Sequence, residues 1–242
     1  MYTATLVSEV CTTRMQHLSA VSRCLVKRSS GYSCRKLCIA NSQLALGDEP
    51  VLVVGSNPGL LQRLASQVEV RAGFITEEEE AALLKELEPG LKRKRYEFDH
   101  WDNAIHGYKE TERATWGPSC AEVLNRVRSV AFPPGSPLLG PVHVLDLDQK
   151  GYIKPHIDSV KFCGSTIAGL NLLSASVMRL VEQDSPAERL DLLLPRYSIY
   201  IMRDEARYKF THEILKDEES FFNGQRVPRQ RRISIICRNL PS

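Results

Sequence analysis

No run of apolar residues in this 242-residue chain approaches the roughly 18 that a membrane-spanning helix requires, so no membrane span is expected. No CxxC pair occurs among the seven cysteines, and no GK[ST] follows the glycine-bearing turn at residues 55–59, which argues against a phosphate-cradling loop. Acid is nearly missing from the first 47 residues, where Glu9 stands alone against Arg14, Arg23, Lys27, Arg28, Arg35 and Lys36. That leader carries a net +5, which leaves −2 over the remaining 195 residues. A domain that grips nucleic acid through many phosphate contacts keeps its own cationic excess. Here the excess sits in the leader.

What is present bounds the organisation. A length of 242 residues suits one large domain with an appendage rather than two enzyme domains, and 43% hydrophobic with 25% charged residues is ordinary globular composition. Met15, Leu18, Val21 and Leu25 fall at helical spacing among the leader's cations, so residues 1–47 read as a mitochondrial transit peptide. A disordered basic tail is the plainer alternative. Residues 48–70 read as linker or leader end, and residues 71–242 as the functional domain. Cys11, Cys24, Cys34 and Cys38 belong to the leader, leaving Cys120, Cys163 and Cys237. Three thiols without a CxxC speak against a zinc ribbon or a disulfide framework and suit a reducing compartment such as the mitochondrial matrix.

Thr76 followed by Glu79 is a capping-box signature, and the spacing predicts a helix from Thr76 that Pro89-Gly90 stops. The basic run from Lys92 to Arg95 reads as solvated surface, or as a contact for an acidic partner. Periodicity does not place the aromatic-rich residues 96–108. A second amphipathic helix spans residues 118–132, with Leu124, Val127 and Val130 on its apolar side. From residue 141 the texture changes to short Val-, Ile-, Leu- and Tyr-rich segments at 142–147, 167–173, 176–182, 189–194, 197–202, 207–214 and 232–238. The fold class is therefore α+β, mainly β: a jelly roll or sandwich buttressed by N-terminal helices. Trp101 and Trp116 read as packing anchors, because no row of aromatics accompanies them.

His156 precedes Asp158 by two residues, which in extended chain turns one imidazole and one carboxylate to the same face. His212, on a distant strand-like segment, supplies a third ligand. Two imidazoles and a carboxylate leave open positions of the kind non-heme Fe(II) oxygenases use, whereas three imidazoles favour zinc and a bound hydroxide. His143 is the candidate for that third imidazole, so zinc hydrolysis stays open. On the last segment Arg232, Ser234 and Arg238 share one face and Ile233, Ile235 and Cys237 the other. An inward arginine needs an anion, since leaving it unpaired costs about 3–5 kcal/mol. A dicarboxylate would satisfy both arginines; pairing with Asp or Glu at the sheet rim is the alternative.

These motifs, His156-x-Asp158, distal His212 and Arg232-x5-Arg238, resemble the AlkB family of Fe(II)- and 2-oxoglutarate-dependent dioxygenases. The phrases at residues 96–112, 151–164 and 231–238 are closer still to a mitochondrial branch of that family, and the resemblance runs from about residue 67 to 240. It implies a double-stranded β-helix core, with Fe(II) held by His156, Asp158 and His212. It also implies 2-oxoglutarate held by Arg232, with Arg238 nearer the metal end, Tyr200 donating its hydroxyl and Ser234 at the motif's Asn position. With O2 as the other co-substrate, it implies hydroxylation, or demethylation where the oxidised carbon is an N-methyl group.

Two departures bear on the substrate. Base-repair members carry an acid two positions after the aspartate, where this chain has Val160, and an Asn-x-Tyr where Leu145 and Leu147 stand. A reader of the Watson–Crick edge is therefore missing, and no duplex DNA partner is expected. The expectation is a matrix enzyme that hydroxylates a protein or other non-DNA molecule; the resemblance also implies a setting in regulated necrosis after alkylation damage and in mitochondrial energy and lipid metabolism. Demethylation of mitochondrial RNA, using cationic patches at Lys92 to Arg95 and Arg226 to Arg232, is the first alternative. A non-catalytic jelly roll that retains its metal and binds a partner is the second.

Overall fold

The computed structural model describes residues 50–98, 100 and 103–241. The expected transit peptide at 1–47 and Trp101 lie outside the described residues. Residues 49–242 form one compact unit. In chain order its elements are β1 (Val53–Gly55), α1 (Pro58–Leu64), β2 (Val68–Arg71), α2 (Glu77–Leu91), β3 (Ile105–Arg113), α3 (Pro118–Ala131), β4 (Val142–His156), β5 (Thr166–Leu172) and β6 (Ser176–Glu182). There follow β7 (Arg189–Leu194), β8 (Ser198–Arg203), α4 (Asp204–Tyr208), β9 (Phe210–Ile214), β10 (Phe221–Phe222), β11 (Gln225–Arg226) and β12 (Arg232–Arg238). No described helix is long and apolar enough to cross a membrane.

Ten strands form one sheet, in the order β1-β7-β6-β9-β4-β12-β5-β8-β2 with β3 also on β4; it rolls up as the jelly roll that the short apolar segments predict, in the double-stranded β-helix form that the family resemblance implies. The pivot is β4. Its first half pairs with β12, from Leu147 opposite Arg232 to His143 opposite Ile236, and its second half pairs with β9, where His156 faces His212. Two glycines allow the bend between the halves. A Cβ at Gly151 would lie 2.4 Å from the Gly107 carbonyl, and Gly107 itself has φ +63°, beside a register shift between β3 and β4.

Period-two alternation separates two cores. Outward from β12, Ile233, Ile235 and Cys237 join Ile199 and Ile201 of β8 against the helices. There Leu83, Leu87 and Leu91 of α2 meet Val123, Leu124 and Val127 of α3. Inward, Leu145 and Ile236 face Met178, Leu192 and Ile214 across the roll. The Thr76–Glu79 capping box forms, with Thr76 N–H donating to Glu79 Oε2 at 2.9 Å and Glu79 N–H donating to Thr76 Oγ1 at 3.2 Å.

Three expectations need correction. Pro89-Gly90 does not stop α2, which runs on to Leu91 because that residue completes the buried Leu83–Leu87–Leu91 stripe. Val130 is only partly buried; Cys120, Val123 and Ala131 complete the buried face of α3 instead. Residues 48–70, read as linker or leader end, contribute β1, α1 and most of β2, which pair with β7 and β8 at the two ends of the strand order. The unplaced stretch 96–108 runs into β3, whose Ile105 pairs with Ile153 of β4.

Candidate active site

The bend in β4 delivers His156 to the mouth of the roll, opposite His212 on β9, with their ring centroids 4.3 Å apart. Asp158 stands two residues beyond, and its Oδ1 lies 3.3 Å from His156 Nε2 and 3.6 Å from His212 Nε2. The three potential ligand atoms all fall within 4.8 Å of one another. His156 Nδ1–H donates to the Lys154 carbonyl at 2.9 Å, which leaves the Nε2 lone pair facing the other two groups. Arg238 Nε donates to Asp158 Oδ2 at 2.7 Å and so takes up the oxygen turned away from the imidazoles.

Electrostatics prepares the same set. Burial alone would raise the Asp158 carboxyl, but the Arg238 guanidinium and both imidazoles outweigh it and hold the group well below the usual carboxylate range. Burial, with His156 beside it, pushes His212 down to about 3 against the pull of Asp158. At neutral pH His212 is therefore a neutral imidazole beside a carboxylate. This is a donor set for a divalent transition metal.

Behind these residues lies a cavity of about 670 Å³ between the two layers of the roll, lined also by Tyr200, Arg232, Ser234 and Arg238. Its remaining wall includes Leu145, Ile153, Ile167, Met178 and Ile214. Arg232 is 1% exposed, and its Nε donates to Asn171 Oδ1 at 2.5 Å. Asn171 is fixed in that orientation because its amide donates to the carbonyls of Ser174, Leu194 and Pro195. Arg232 Nη2 is buried without a partner, and burial pushes the guanidinium down to about 10. Among the described residues no carboxylate pairs with it. A buried guanidinium with an unsatisfied Nη2, in a cavity beside a metal-type ligand set, fits the carboxylate of a small diacid.

Tyr200 crosses the cavity because it pairs with Gly169 on β5, where a Cβ would lie 2.4 Å from the tyrosine Cε1. Burial raises its phenol. Ser234, between the two arginines, is buried and lines the same cavity. All the candidate residues His156, Asp158, His212, Tyr200, Arg232, Ser234 and Arg238 thus come together around one space. Asn171, Gly169 and the Lys154 carbonyl carry no motif in the sequence; only the strand register reveals them.

His143 does not join the histidine pair. It stands on the other side of Arg238, with its Nε2 3.1 Å from Glu110 Oε2, so the three-imidazole zinc arrangement is not formed among the described residues. The arginine patch expected at Arg226 to Arg232 is not exposed as one. Arg229 and Arg232 are buried, Arg231 pairs with Asp146 and Glu88, and Arg226 pairs with Asp217. Lys92 to Arg95 are exposed. Trp116 packs partly buried against the helix core, as expected. Cys120, Cys163 and Cys237 are free and buried.

A jelly roll whose mouth gathers His156, Asp158 and His212, with two arginines of the last strand turned inward, defines the class of 2-oxoglutarate-dependent dioxygenases. The fold matches the solved structure of OsALKBH1, with a TM-score of 0.54 and 12% identity, covering 71% of this chain and 97% of that one. It also matches a prolyl hydroxylase from Trichoplax adhaerens, solved with a peptide fragment of the hypoxia inducible factor oxygen degradation domain, with a TM-score of 0.50 and 11% identity, covering 75% of this chain and 87% of that one. At such identities the likeness concerns the fold alone. No protein-family model matches the chain. In sequence it is 60% identical over 189 residues to the mitochondrial alpha-ketoglutarate-dependent dioxygenase alkB homolog 7 of Mus musculus, covering 78% of this chain and 86% of the relative. It is 59% identical over the same length to the Bos taurus protein, with the same coverage. The chain belongs to the alkB homolog 7 family of mitochondrial 2-oxoglutarate (alpha-ketoglutarate)-dependent dioxygenases.

Proposed function

We propose that this enzyme binds one ferrous ion through His156, Asp158 and His212, binds 2-oxoglutarate with Arg232, and hydroxylates a protein or other non-DNA molecule of the mitochondrial matrix. The observation that carries the reading is the convergence of two imidazoles and one carboxylate on a cavity that holds a buried guanidinium whose Nη2 has no partner. Bound there, iron and 2-oxoglutarate supply the oxidising chemistry: O2 is consumed, the keto acid leaves as succinate and CO2, and a substrate C–H becomes C–OH.

The chain's own groups do the positioning. Arg238 occupies one oxygen of Asp158 and leaves Oδ1 facing the two imidazoles. The Lys154 carbonyl fixes the tautomer of His156. Arg232, braced by Asn171, offers a free N–H to the far carboxylate of the keto acid. Tyr200 lays its hydroxyl toward the same space, and Ser234 is a further hydroxyl between the arginines. The apolar walls exclude water from the reacting centre.

Substrate choice follows from the rim. Val160 is exposed where base-repair relatives carry an acid, Leu147 is in the core, and Leu145 offers the cavity only hydrocarbon. None of them reads a base edge. The physiological setting is the one implied by the family: regulated necrosis after alkylation damage, and mitochondrial energy and lipid metabolism. One observation favours demethylation of methylated bases in mitochondrial RNA as a second reading. Lys94, from the exposed basic run, lines a cavity that adjoins the triad's. The non-catalytic reading gives way to membership of an enzyme family. The test is oxygen-dependent succinate release by the iron-loaded protein with matrix protein extract or methylated transfer RNA. Stimulation by the extract supports the first reading, stimulation by the RNA the second, and no succinate under either condition refutes both.

A further inference from the structure

Two polar neighbours in the cavity wall, among the groups outside this scheme, contact each other and the site. Glu110 on β3 and His143 on β4 line both the triad's cavity and the adjoining one of about 630 Å³, and so stand in the partition between them. They are hydrogen-bonded, Nε2 of His143 to Oε2 of Glu110, at 3.1 Å. The other ring nitrogen, Nδ1, lies 3.4 Å from Arg238 Nη1. Arg238 in turn donates to Asp158. A chain of four side chains thus runs from the rim to the metal-type carboxylate.

We propose that His143 is a positioning residue: Glu110 holds it in the Nε2-protonated tautomer, and its bare Nδ1 then fixes the Arg238 guanidinium that orients Asp158. The inference rests on the ferrous-site reading above. The argument is one of donors and acceptors. A guanidinium only donates, so Nδ1 must carry the lone pair. A neutral imidazole with a bare Nδ1 must bear its proton on Nε2, and the group facing Nε2 is a carboxylate, which accepts. Two neighbours on different strands therefore demand the same tautomer. Glu110 is suited to this because its hydrogen bond with His143 outweighs burial and holds the carboxyl below its usual range. A doubly protonated ring would instead turn an N–H toward Arg238, cation against cation.

The strands make the arrangement rigid. His143 pairs with Ile236, two residues before Arg238 on the neighbouring strand, so the imidazole sits diagonally beside the arginine. With Nη1 anchored there and Nε on Asp158 Oδ2, the guanidinium has two fixed points. With one removed it rotates, and Asp158 loses the contact that keeps Oδ1 toward the imidazoles. Removing such an outer partner costs about ten- to hundred-fold in metal affinity.

The experiment measures Mn(II) affinity of the full chain by titration calorimetry, with apo-protein thermal unfolding to confirm folding. His143→Asn places an amide oxygen near the Nδ1 position and keeps an acceptor for Arg238. His143→Gln places its amide near the Nε2 position and keeps only the Glu110 contact. Wild type is expected to bind one Mn(II) and His156→Ala none. His143→Gln is expected to weaken binding about ten- to hundred-fold, with His143→Asn close to wild type. Should neither His143 variant fold, the half-exposed Glu110 carries the same test. Glu110→Gln keeps an acceptor for Nε2–H and binds normally, whereas Glu110→Lys donates to Nε2, forces the proton onto Nδ1 and weakens binding. Equal affinities for the Asn and Gln variants, or for Glu110→Gln and Glu110→Lys, overturn the inference while leaving the ferrous site intact. A wild type that binds no Mn(II) overturns the site reading itself.

Discussion

Replacing Arg232 with methionine separates a ligand-binding role from a structural one. The Arg232 guanidinium is buried, donates from Nε to Asn171 and leaves Nη2 unsatisfied. An unsatisfied buried donor costs about 1–3 kcal/mol, so a methionine of similar length removes that penalty while forfeiting one hydrogen bond. Apo stability is therefore expected to stay level or rise by about 1 kcal/mol. With 2-oxoglutarate the balance reverses. A forked pair of charge-assisted hydrogen bonds to a carboxylate is worth about 3–5 kcal/mol, or roughly 10²–10⁴ in affinity. At a concentration one hundred times its Kd, 2-oxoglutarate stabilises wild type by about 2.7 kcal/mol, and the same concentration should stabilise Arg232→Met by about 0.4 kcal/mol or less. Chemical denaturation with and without 2-oxoglutarate reads both numbers. The reasoning is refuted if the ligand stabilises the variant as much as wild type. A ligand-free variant weaker by several kcal/mol would show that the guanidinium holds the fold instead.

Three further outcomes follow from the same contacts. Because His212 titrates near 3 when folded and near 6.5 when unfolded, its contribution to stability is complete above pH 6.5 and falls as the unfolded chain takes up the proton. From pH 6.5 to 5 this group alone should cost the metal-free protein about 2 kcal/mol, measurable by urea titration at the two pH values; flat stability would contradict a buried neutral imidazole. Gly169→Ala is expected to push the Tyr200 ring aside and weaken 2-oxoglutarate binding about five- to tenfold with the fold retained, an unchanged Kd being the opposing result. Glu80 is buried on α2 and accepts from Leu173 N–H at 2.8 Å and from Arg196 Nε at 3.0 Å. Glu80→Ala should cost about 2–3 kcal/mol in denaturant unfolding without altering metal affinity.

The parts of the fold that show in the sequence are those where one face is apolar throughout. The stripes of α2 and α3, the alternation of β12 and the apolar runs of β5 to β8 fall in that group. Strand β3 escapes because its alternation is charged: Glu110 and Arg113 are absorbed by His143 and Glu86, so polar residues occupy the positions that apolar ones mark elsewhere. The far half of β4, around Lys150 and Gly151, escapes for a related reason, since it bends between two partners and its middle is exposed. Strands β1 and β2 have three and four residues, too few for a period to register.

At the site, His156 and Asp158 are legible because a spacing of two sets them on one face, and Arg232 and Arg238 because inward arginines demand an anion. His212 is legible as a histidine on a strand-like segment and through the resemblance, and the register then sets it opposite His156. Asn171 and Gly169 serve Arg232 and Tyr200 across strand pairs, a relation that lies between segments and leaves no local pattern.

Anomalous diffraction from crystals grown with Mn(II) and 2-oxoglutarate bears most directly on the proposal that this cavity is a metal and keto-acid site. One anomalous peak is expected between His156 Nε2, Asp158 Oδ1 and His212 Nε2, with the keto acid reaching from it to Arg232. A peak elsewhere, or a keto acid that leaves Arg232 without a partner, would contradict it.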